Sequence, residues 1–233
     1  MDVSAAVDSR ISCRAFRPDP VDPALLRDLL AQAARAASGG NLQPWRIYAL
    51  TGEALEALKR DVADEMERHD PRHVEAEYPI YPKELWDPYK GHREEHGVQL
   101  YGALKIDRGD VPARIRQYKE NYKFFNAPVG LLITVDRRLG PGQFADLGNY
   151  ITTFMLLARA KGLDTCAQES WARAYRSIGA FLKLPPEQML FCGVAVGYRD
   201  AKHPANSFRS PRAPVEEFCR FVGFADMAAS AAE

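Results

Sequence analysis

The sequence lacks several features that would mark whole classes of protein. Lys and Arg together number 31, as do Asp and Glu, so the formal net charge is zero. A nucleic-acid-binding protein usually carries a basic excess, so that class is not indicated. No apolar run approaches the roughly 20 residues that a membrane helix needs. The first twenty residues lack the apolar core of a signal peptide, so we expect a soluble, cytoplasmic protein.

Cysteine is scarce, and its spacing argues against two kinds of site. The four cysteines stand alone at Cys13, Cys166, Cys192 and Cys219, and none forms a C-x-x-C pair. A zinc site or a redox dithiol is therefore not predicted, and we expect Cys166 and Cys192 to be buried in apolar surroundings. The chain also lacks a G-x-x-x-x-G-K-[ST] phosphate loop and a convincing Ser-His-Asp or Cys-His set.

Hydrophobic patterning predicts a single domain over residues 1–233, built from alternating helices and strands. With 46% hydrophobic residues, the chain can bury a substantial core. Asp22 is expected to cap a helix over 21–37, because Pro23 follows it in the first turn and Ser-Gly-Gly at 38–40 ends the periodicity. Further helices are predicted over 52–69, 142–163 and 173–185, and strands over 45–50, 128–135 and 189–199. The continuous apolar run at 128–135 is typical of a strand buried on both faces.

Residues 70–110 break this pattern and are predicted to be irregular. Aromatic residues are scattered there among prolines and charges, at Tyr78, Tyr81, Trp86, Tyr89 and Tyr101. An irregular segment of this length is usually a lid, a binding loop or a disordered stretch, and the aromatics argue against disorder. The alternative is a solvated insertion with a few aromatics attached to the core.

The C-terminal stretch "PVEEFCRFVGF", residues 214–224, is apolar and aromatic although it follows the last core element. A free apolar tail is a liability unless it packs against something, so we expect it to contact a second subunit. The alternative is that it folds back on its own core.

Arginines occur in two short stretches that could form one site. In "SRISCRAF", residues 9–16, an extended backbone would point Arg10, Ser12 and Arg14 the same way. Two guanidiniums and a hydroxyl suit an anion or a phosphorylated ligand. Near the C-terminus, a segment broken by prolines offers Asn206, Arg209 and Arg212, and its arginine pair could close the same site. The alternative is two unrelated solvated basic patches.

The stretch "HREEH", His92 to His96, has the H-x-x-E-H spacing of inverted zinc peptidases. On a helix both imidazoles would share one face, with Glu95 available as a base. Because Gly91 and Gly97 bracket the motif, we predict a solvated charged turn and no metal site.

Four stretches, in order along the chain, resemble the flavin-dependent nitroreductase family. "SRISCRAF" is similar to the family's R-x-S-x-R-x-F opening, and "AASGGNLQPWRIY" is similar to A-P-S-x-x-N-x-Q-P-W. "GLDTCAQESWARAYRSIGAFLKLP" and "VAVGYRDAKHPANSFRSPRAPVEEF" most resemble the nitrobenzoate-reductase-like branch. The departure is Ala37, where the family usually has Pro; it loosens the turn but removes no hydrogen-bonding group.

The resemblance implies an α+β fold, with a central, mostly antiparallel sheet flanked by helices, in an intertwined homodimer. It implies FMN as cofactor, NADPH or NADH as electron donor, and a C-terminal arm over about 204–224 that is exchanged between subunits. The small residues of the loop at 37–43 would then let the backbone approach the cofactor.

The resemblance also implies roles for individual residues. The residues expected to bind the cofactor are Arg10, Ile11, Ser12, Arg14, Ser38, Asn41, Gln43, Lys123, Gln168, Glu169, Ser170, Arg209 and Arg212. Arg212 is expected at the phosphate, and Ser38, Asn41 and Gln43 are expected to reach the flavin of the second subunit. The residues expected to cover the substrate are Trp86, Tyr89, Tyr101, Phe124 and Phe125.

The implied activity is a ping-pong hydride transfer from NAD(P)H through the flavin to a nitroaromatic or another electron-poor acceptor. This chemistry needs no side-chain nucleophile, in agreement with the missing triad. Reductive dehalogenation and flavin fragmentation occur on the same fold and stay open, as does a flavin-binding protein without turnover.

Overall fold

The computed structural model describes residues 1–68 and 70–224. The helices are α1 (Val3–Ser9), α2 (Pro23–Ala33), α3 (Gly52–Glu67), α4 (Tyr89–Ala103), α5 (Val111–Lys119), α6 (Pro141–Ala160), α7 (Tyr175–Leu182) and α8 (Val215–Phe218). The strands are β1 (Arg46–Thr51), β2 (Val129–Asp136), β3 (Asp164–Gln168) and β4 (Gln188–Gly197). This mixture confirms the predicted α+β class.

The strands form one antiparallel sheet in the order β1-β2-β4-β3. The two central strands are almost wholly buried, and in β2 only Asp136 is even partly exposed. This burial confirms the interpretation of the apolar run at 128–135. Because strand side chains alternate between faces, β2 supplies both faces of the sheet with core residues.

Helices cover both faces of the sheet. On one face, Leu131 and Ile133 of β2 pack with residues of α2 and α6, including Leu29 and Phe154. On the other face, Leu132 packs with residues of α3 and α7 and with the segment that precedes β2. Cys166 and Cys192 are buried, as predicted.

α6 is the central helix, and it confirms the helix predicted over 142–163. Leu147, Ile151, Phe154 and Ala158 are buried in the core. Gly162 ends the helix with φ of 85°, a left-handed conformation that glycine adopts without strain. Among the described residues, no helix is both long enough and apolar enough to span a membrane.

Two strand glycines make room for a buried aromatic pair. Phe124 and Trp171 stack with ring centroids 4.2 Å apart, and neither ring is exposed. A Cβ on Gly130 would lie 2.6 Å from Phe124, and a Cβ on Gly193 would lie 2.3 Å from Trp171. Both rings therefore lie directly against the sheet backbone, which only glycine permits at these positions.

The segment 70–110 is more regular than we predicted. α4 spans 15 residues of this segment and includes both Gly91 and Gly97, which bracket the "HREEH" stretch. Neither Gly91 nor Gly97 breaks the helix, because a helix interior tolerates glycine at a cost of only about 1 kcal/mol. The prediction that His92 to His96 form a turn was therefore wrong.

One predicted helix ends earlier than expected, and three short elements were not predicted. α2 ends at Ala33, several residues before the glycines, although Asp22 caps it through a 2.8 Å bond from Ala24 N. α1 and α5 were not predicted, because both are short. β3 was also missed, because only five residues with little alternation form it.

Candidate functional site

The segment between α1 and α2 runs in an extended conformation along the edge strand β3. Ser12 forms a parallel bridge with Thr165, and Cys13 N donates to Thr165 O at 3.0 Å. Phe16 forms an antiparallel bridge with Arg199, just beyond β4. This pairing holds the segment in the extended conformation in which Arg10, Ser12 and Arg14 are expected to point the same way.

Asn206 joins this N-terminal segment to the C-terminal one. Its Oδ1 accepts from Arg14 N at 2.7 Å, and its Nδ2 donates to Ala15 O at 2.9 Å. Nδ2 also donates to Asp200 O at 2.9 Å. The Asn206 side chain therefore fixes the N-terminal and C-terminal segments relative to each other, although the residues it joins are 192 positions apart in the sequence.

The two arginine stretches line one cavity of about 530 Å³. Its polar lining includes Arg10, Ser12, Arg14, Arg209 and Arg212. The apolar part of the lining includes Ile11, Phe208 and Leu156 of α6. The structure thus unites the arginines that the sequence left as either one site or two patches.

The cavity carries positive charge that carboxylates barely offset. In the described part of the chain, the lining arginines make one ion pair, between Arg209 and Asp8 at 3.8 Å on the surface. Arg212 donates only to the backbone oxygens of Ser210 and Pro211, at 3.0 and 2.8 Å. Burial, together with repulsion from Arg212 and Arg209, lowers the pKa of Arg10. Cations held together in this way favour a bound anion.

Two buried hydroxyls beside this region also lack partners. Thr165 Oγ1 lies on the strand that pairs with Ser12, and Ser170 Oγ follows the end of β3; neither makes a hydrogen bond. Buried polar atoms rarely stay unpaired, so such atoms indicate a missing ligand or water.

Gln168, Glu169 and Ser170 lie at the junction between β3 and the following short turn. The Gln168 side chain points into the protein, where Nε2 donates to Asn121 O at 2.8 Å and Oε1 accepts from Trp171 Nε1 at 3.4 Å. The Gln168 amide is therefore not available to a ligand. Its hydrogen bonds instead fix the backbone of this junction.

The loop at 38–43 does not line the basic cavity of its own chain. Ser38 Oγ accepts from Gln43 N at 3.1 Å, and Gln43 Nε2 donates to Asn41 O at 3.2 Å. Gly40, Asn41 and Gln43 have φ of 55°, 56° and 49°, in the left-handed region. The small and amide residues of the loop suit this backbone.

Sequence reasoning missed the residue that holds this loop. Asp146 of α6 is 5% exposed, and its Oδ1 accepts from Gly39 N at 3.0 Å. Its Oδ2 is buried without a partner. Asp146 could have been noticed in the sequence as an acidic residue in a mostly apolar helix. A buried carboxylate is rare unless it is paired.

The aromatic residues of the insert lie in two places. Trp86 and Tyr89 form an edge-to-face pair, with centroids 5.7 Å apart, and both are more than half exposed. Tyr101 lies under the guanidinium of Arg114, which is 4.2 Å from the ring centroid.

Lys123, which was expected to bind the cofactor, forms an ion pair with Glu120 at 2.6 Å, on the surface.

Phe124 and Phe125 are core residues, contrary to the expectation that they cover a substrate. Phe124 has no exposed surface, and Phe125 is 3% exposed. Phe124, Phe125 and Asn126 have φ between 50° and 63°, and this backbone turns both rings towards the sheet. A fully buried Phe124 has no surface for a substrate to contact.

The "HREEH" stretch contacts the arginine cavity and does not form a metal cluster. His96 Nδ1 lies 2.8 Å from Ser210 Oγ, and its Nε2 lies 3.3 Å from Arg14 Nη2. Across the described ranges, no group of three or more His, Cys, Asp or Glu side chains is arranged to hold a metal ion. His96 therefore links the insert to the site.

The helix-flanked antiparallel sheet carries an arginine-rich cavity at its edge, and this charge pattern suits a phosphorylated ligand. The model of the family described as "Nitroreductase family" matches residues 7–198. The chain belongs to this family, which confirms the resemblance drawn from the four stretches.

Curated relatives agree over nearly the whole chain. A nitrobenzene nitroreductase from Ectopseudomonas oleovorans is 37% identical over 216 residues, covering 93% of this chain and 95% of the relative. A 4-nitrobenzoate reductase from Pseudomonas putida is 38% identical over 226 residues, covering 96% of each chain.

Solved structures agree as well. The FMN and NADPH-dependent nitroreductase NfnB from Sphigopyxis sp. strain HMH superimposes with a TM-score of 0.93 at 40% identity, covering 96% of this chain and all of that one. The FMN-dependent NfnB from Mycobacterium smegmatis, in complex with NADPH, has a TM-score of 0.87 at 27% identity, with 95% and 100% coverage. The predicted fold is thereby confirmed.

Proposed function

We propose that this protein is an FMN-dependent NAD(P)H oxidoreductase that reduces nitroaromatics or similar electron-poor acceptors. The observation that carries the proposal is the cavity where Arg10, Arg209 and Arg212 meet without matching carboxylates. The names of the similar proteins, which include nitrobenzene and nitrobenzoate reductases, support the acceptor class.

The three arginines would bind the FMN phosphate. A phosphate dianion accepts several charge-assisted hydrogen bonds, and each relieves the repulsion that lowers the pKa of Arg10. Ser12 and the backbone of Ile11 would bind further polar groups along the same cavity wall. Extended pairing with β3 holds both residues in place before the cofactor arrives.

Arg14 would lie at the pyrimidine edge of the flavin. The chemistry that bound FMN supplies is acceptance of a hydride from NAD(P)H and its transfer to an acceptor in a second half-reaction. A guanidinium at this edge stabilises the negative charge that develops during reduction. Asn206 fixes the backbone of Arg14, and His96 fixes its side chain.

The junction at Gln168, Glu169 and Ser170 would present backbone N–H groups to the flavin ring. The internal hydrogen bonds of the Gln168 side chain keep this backbone rigid. Rigid donors need no reorganisation when charge develops, which is the electrostatic advantage of a preformed site.

We also propose that the active form is a homodimer. Ser38, Asn41 and Gln43 lie outside the basic cavity of their own chain, so they would contact the flavin of the second subunit. The C-terminal arm leaves Phe218, Val222 and Phe224 exposed by 74%, 85% and 61%, and a second subunit would bury them. The chain would act as one domain in a cytoplasmic dimer.

Trp86, Tyr89 and Tyr101 of the insert would contact the acceptor, and Lys123 stays a weaker candidate for a polar contact to the cofactor. Flat aromatic acceptors stack well on such side chains. Phe124 is left out of this group because it is fully buried, and Phe125 is almost so.

An absorbance spectrum followed by anaerobic addition of NADPH or NADH tests the proposal. We expect a yellow protein that bleaches and regains its colour when a nitroaromatic is added. A yellow protein that does not bleach would contradict the reductase activity. A colourless protein that cannot be reconstituted with FMN would contradict the cofactor site itself.

A further inference from the structure

A second basic cavity lies on the insert, between α4 and the segment that leads into α5. Its volume is about 630 Å³. The cations that line it are Lys83, Lys90, Arg93, Arg108 and Arg114, against the two carboxylates Glu94 and Asp107. In the described part of the chain, none of these five cations forms an ion pair within 4.0 Å. The cavity is therefore positive in a protein that is neutral as a whole.

Two of its arginines are held in place by tyrosines. The guanidinium of Arg114 lies 4.2 Å from the Tyr101 centroid, and that of Arg93 lies 4.6 Å from the Tyr81 centroid. Arg114 Nη1 donates to Arg108 O at 3.2 Å. Stacking fixes a guanidinium by its face and leaves N–H groups at its edge free to donate.

Arg114 also has a buried donor without an acceptor. Its Nε has almost no exposed surface and makes no hydrogen bond. A buried N–H without a partner costs free energy. The terminal N–H groups of Arg114, not this buried one, are those that an anion in the cavity could contact.

The insert cavity adjoins the cofactor site through shared residues. Ile106 lines both the insert cavity and a neighbouring cavity of about 520 Å³. Arg14 lines this neighbouring cavity and also the arginine cavity proposed for FMN. The three cavities are therefore neighbours that share these side chains, so the insert cavity lies on the same side of the molecule as the arginine cavity.

We propose that the insert cavity binds the 2′-phosphate of NADPH, which makes this chain selective for NADPH over NADH. The inference rests on the proposed function, because it assigns a subsite to the electron donor. A phosphate monoester carries up to two negative charges and three acceptor oxygens, and so suits several cations at once. A single carboxylate on an acceptor would need only one arginine.

Kinetics with both donors test the assignment. We would measure kcat/KM for NADPH and for NADH, with nitrobenzene as acceptor, in the wild type and in Arg93→Gln and Arg114→Gln. We expect the NADPH/NADH ratio of kcat/KM to fall by about tenfold or more, since hydrogen bonds to charged groups are the strong ones. Lys105→Gln is the matched control, because Lys105 is an exposed cation after α4 that does not line the cavity. Its ratio should stay as in the wild type, and an unchanged ratio in both cavity variants would overturn the proposal.

Equilibrium binding separates this proposal from the proposed function. Adenosine 2′-monophosphate should bind the FMN-loaded protein more tightly than adenosine, and Arg93→Gln should abolish the difference. If adenosine 2′-monophosphate and adenosine bound equally well, the subsite would be refuted even if the enzyme turns over. A wild type that oxidises neither donor would instead refute the proposed function.

A last arm distinguishes the donor from an anionic acceptor. With NADH as donor, we would compare 4-nitrobenzoate with nitrobenzene in the same variants. If the cavity variants lowered kcat/KM only for the carboxylated acceptor and left the donor ratio unchanged, the cavity would belong to the acceptor and our assignment would be wrong.

Discussion

His96 and Ser210 join the insert to the arginine cavity: Nδ1 of the imidazole lies 2.8 Å from the serine Oγ. The other ring nitrogen lies 3.3 Å from Arg14 Nη2, and the arginine can only donate there. The ring is therefore neutral, with its proton on Nδ1. One side chain thus couples α4 to Arg14 and to the loop that carries Arg212.

Replacing this histidine should weaken cofactor binding. His96→Phe removes two hydrogen bonds, so we expect FMN to bind about tenfold more weakly, at about 1 kcal/mol per bond and with partial compensation by water. Flavin fluorescence during titration measures the change. His92→Phe is the matched control, because His92 is exposed one turn earlier on α4. His96→Gln can replace one of the bonds and should recover part of the affinity.

The same histidine should make stability depend on pH. Burial, then the charges of Arg14 and Arg212, lower the pKa of His96. The unfolded state then binds this proton more readily, so the stability due to His96 is complete above its ordinary pKa of about 6.5 and is lost as the pH falls through the folded-state value. Urea unfolding at several pH values should show a steeper loss on acidification in the wild type than in His96→Gln. Parallel profiles would show that His96 does not titrate in this way.

Removing one arginine should distinguish FMN from riboflavin. Arg212→Gln should weaken FMN by about ten- to a hundredfold, as expected for a hydrogen bond to a charged group, and should affect riboflavin little. Riboflavin has the same ring and side chain without the phosphate. Fluorescence titration with both flavins gives the two ratios, and Arg35→Gln, an exposed cation on the surface, provides the control. Equal losses for both flavins would place Arg212 elsewhere than at the phosphate.

The carboxylate of α6 should control the loop at 38–43. Asp146→Ala leaves Gly39 N without its acceptor, which should lower the free energy of unfolding by about 1–3 kcal/mol. FMN affinity should fall as well, if the loop contacts the cofactor of the second subunit. Asp146→Asn keeps Oδ1 and should restore part of both losses. Loss of stability with unchanged FMN affinity would separate the loop from the cofactor site.

The aromatic pair under the sheet should make one glycine irreplaceable. Gly193→Ala places a Cβ 2.3 Å from the Trp171 ring, so we expect overpacking to cost at least about 1–3 kcal/mol. Gly179→Ala in α7 is the matched control, since nothing lies within 4 Å of its Cβ. That change should be neutral or stabilising by up to about 1 kcal/mol. Thermal unfolding of both variants measures the two effects, and equal shifts in Tm would contradict the prediction.

The sequence predicted the elements whose periodicity is strong and missed those that tertiary contacts define. β2 and α6 could be found because long apolar patterns require burial. β3 and α1 are too short for a pattern; β3 is defined by its pairing with β4, and α1 packs against α6. α4 was missed because Gly91 and Gly97 interrupt its sequence and none of its residues is buried, so no apolar stripe marks it.

The arginines of the site could be named from the sequence, but their neighbours could not. Alternate spacing identified Arg10 and Arg14, whereas no pattern links His96 to Ser210 or Asp146 to Gly39. Such pairs are far apart along the chain, and only the fold brings them together. Phe124 shows the opposite error: an aromatic next to the site was taken for a surface residue, although its left-handed backbone buries it.

The bond from Arg14 N to Asn206 Oδ1 spans 192 positions of the chain, and this separation has a consequence for biosynthesis. Contacts between distant residues form late, since the intervening chain must be ordered first. A ribosome synthesises Arg209 and Arg212 only after Arg10, Arg14 and all four strands. A fragment that ends before Asn206 lacks this wall of the arginine cavity, so we expect it not to retain FMN however well its sheet folds.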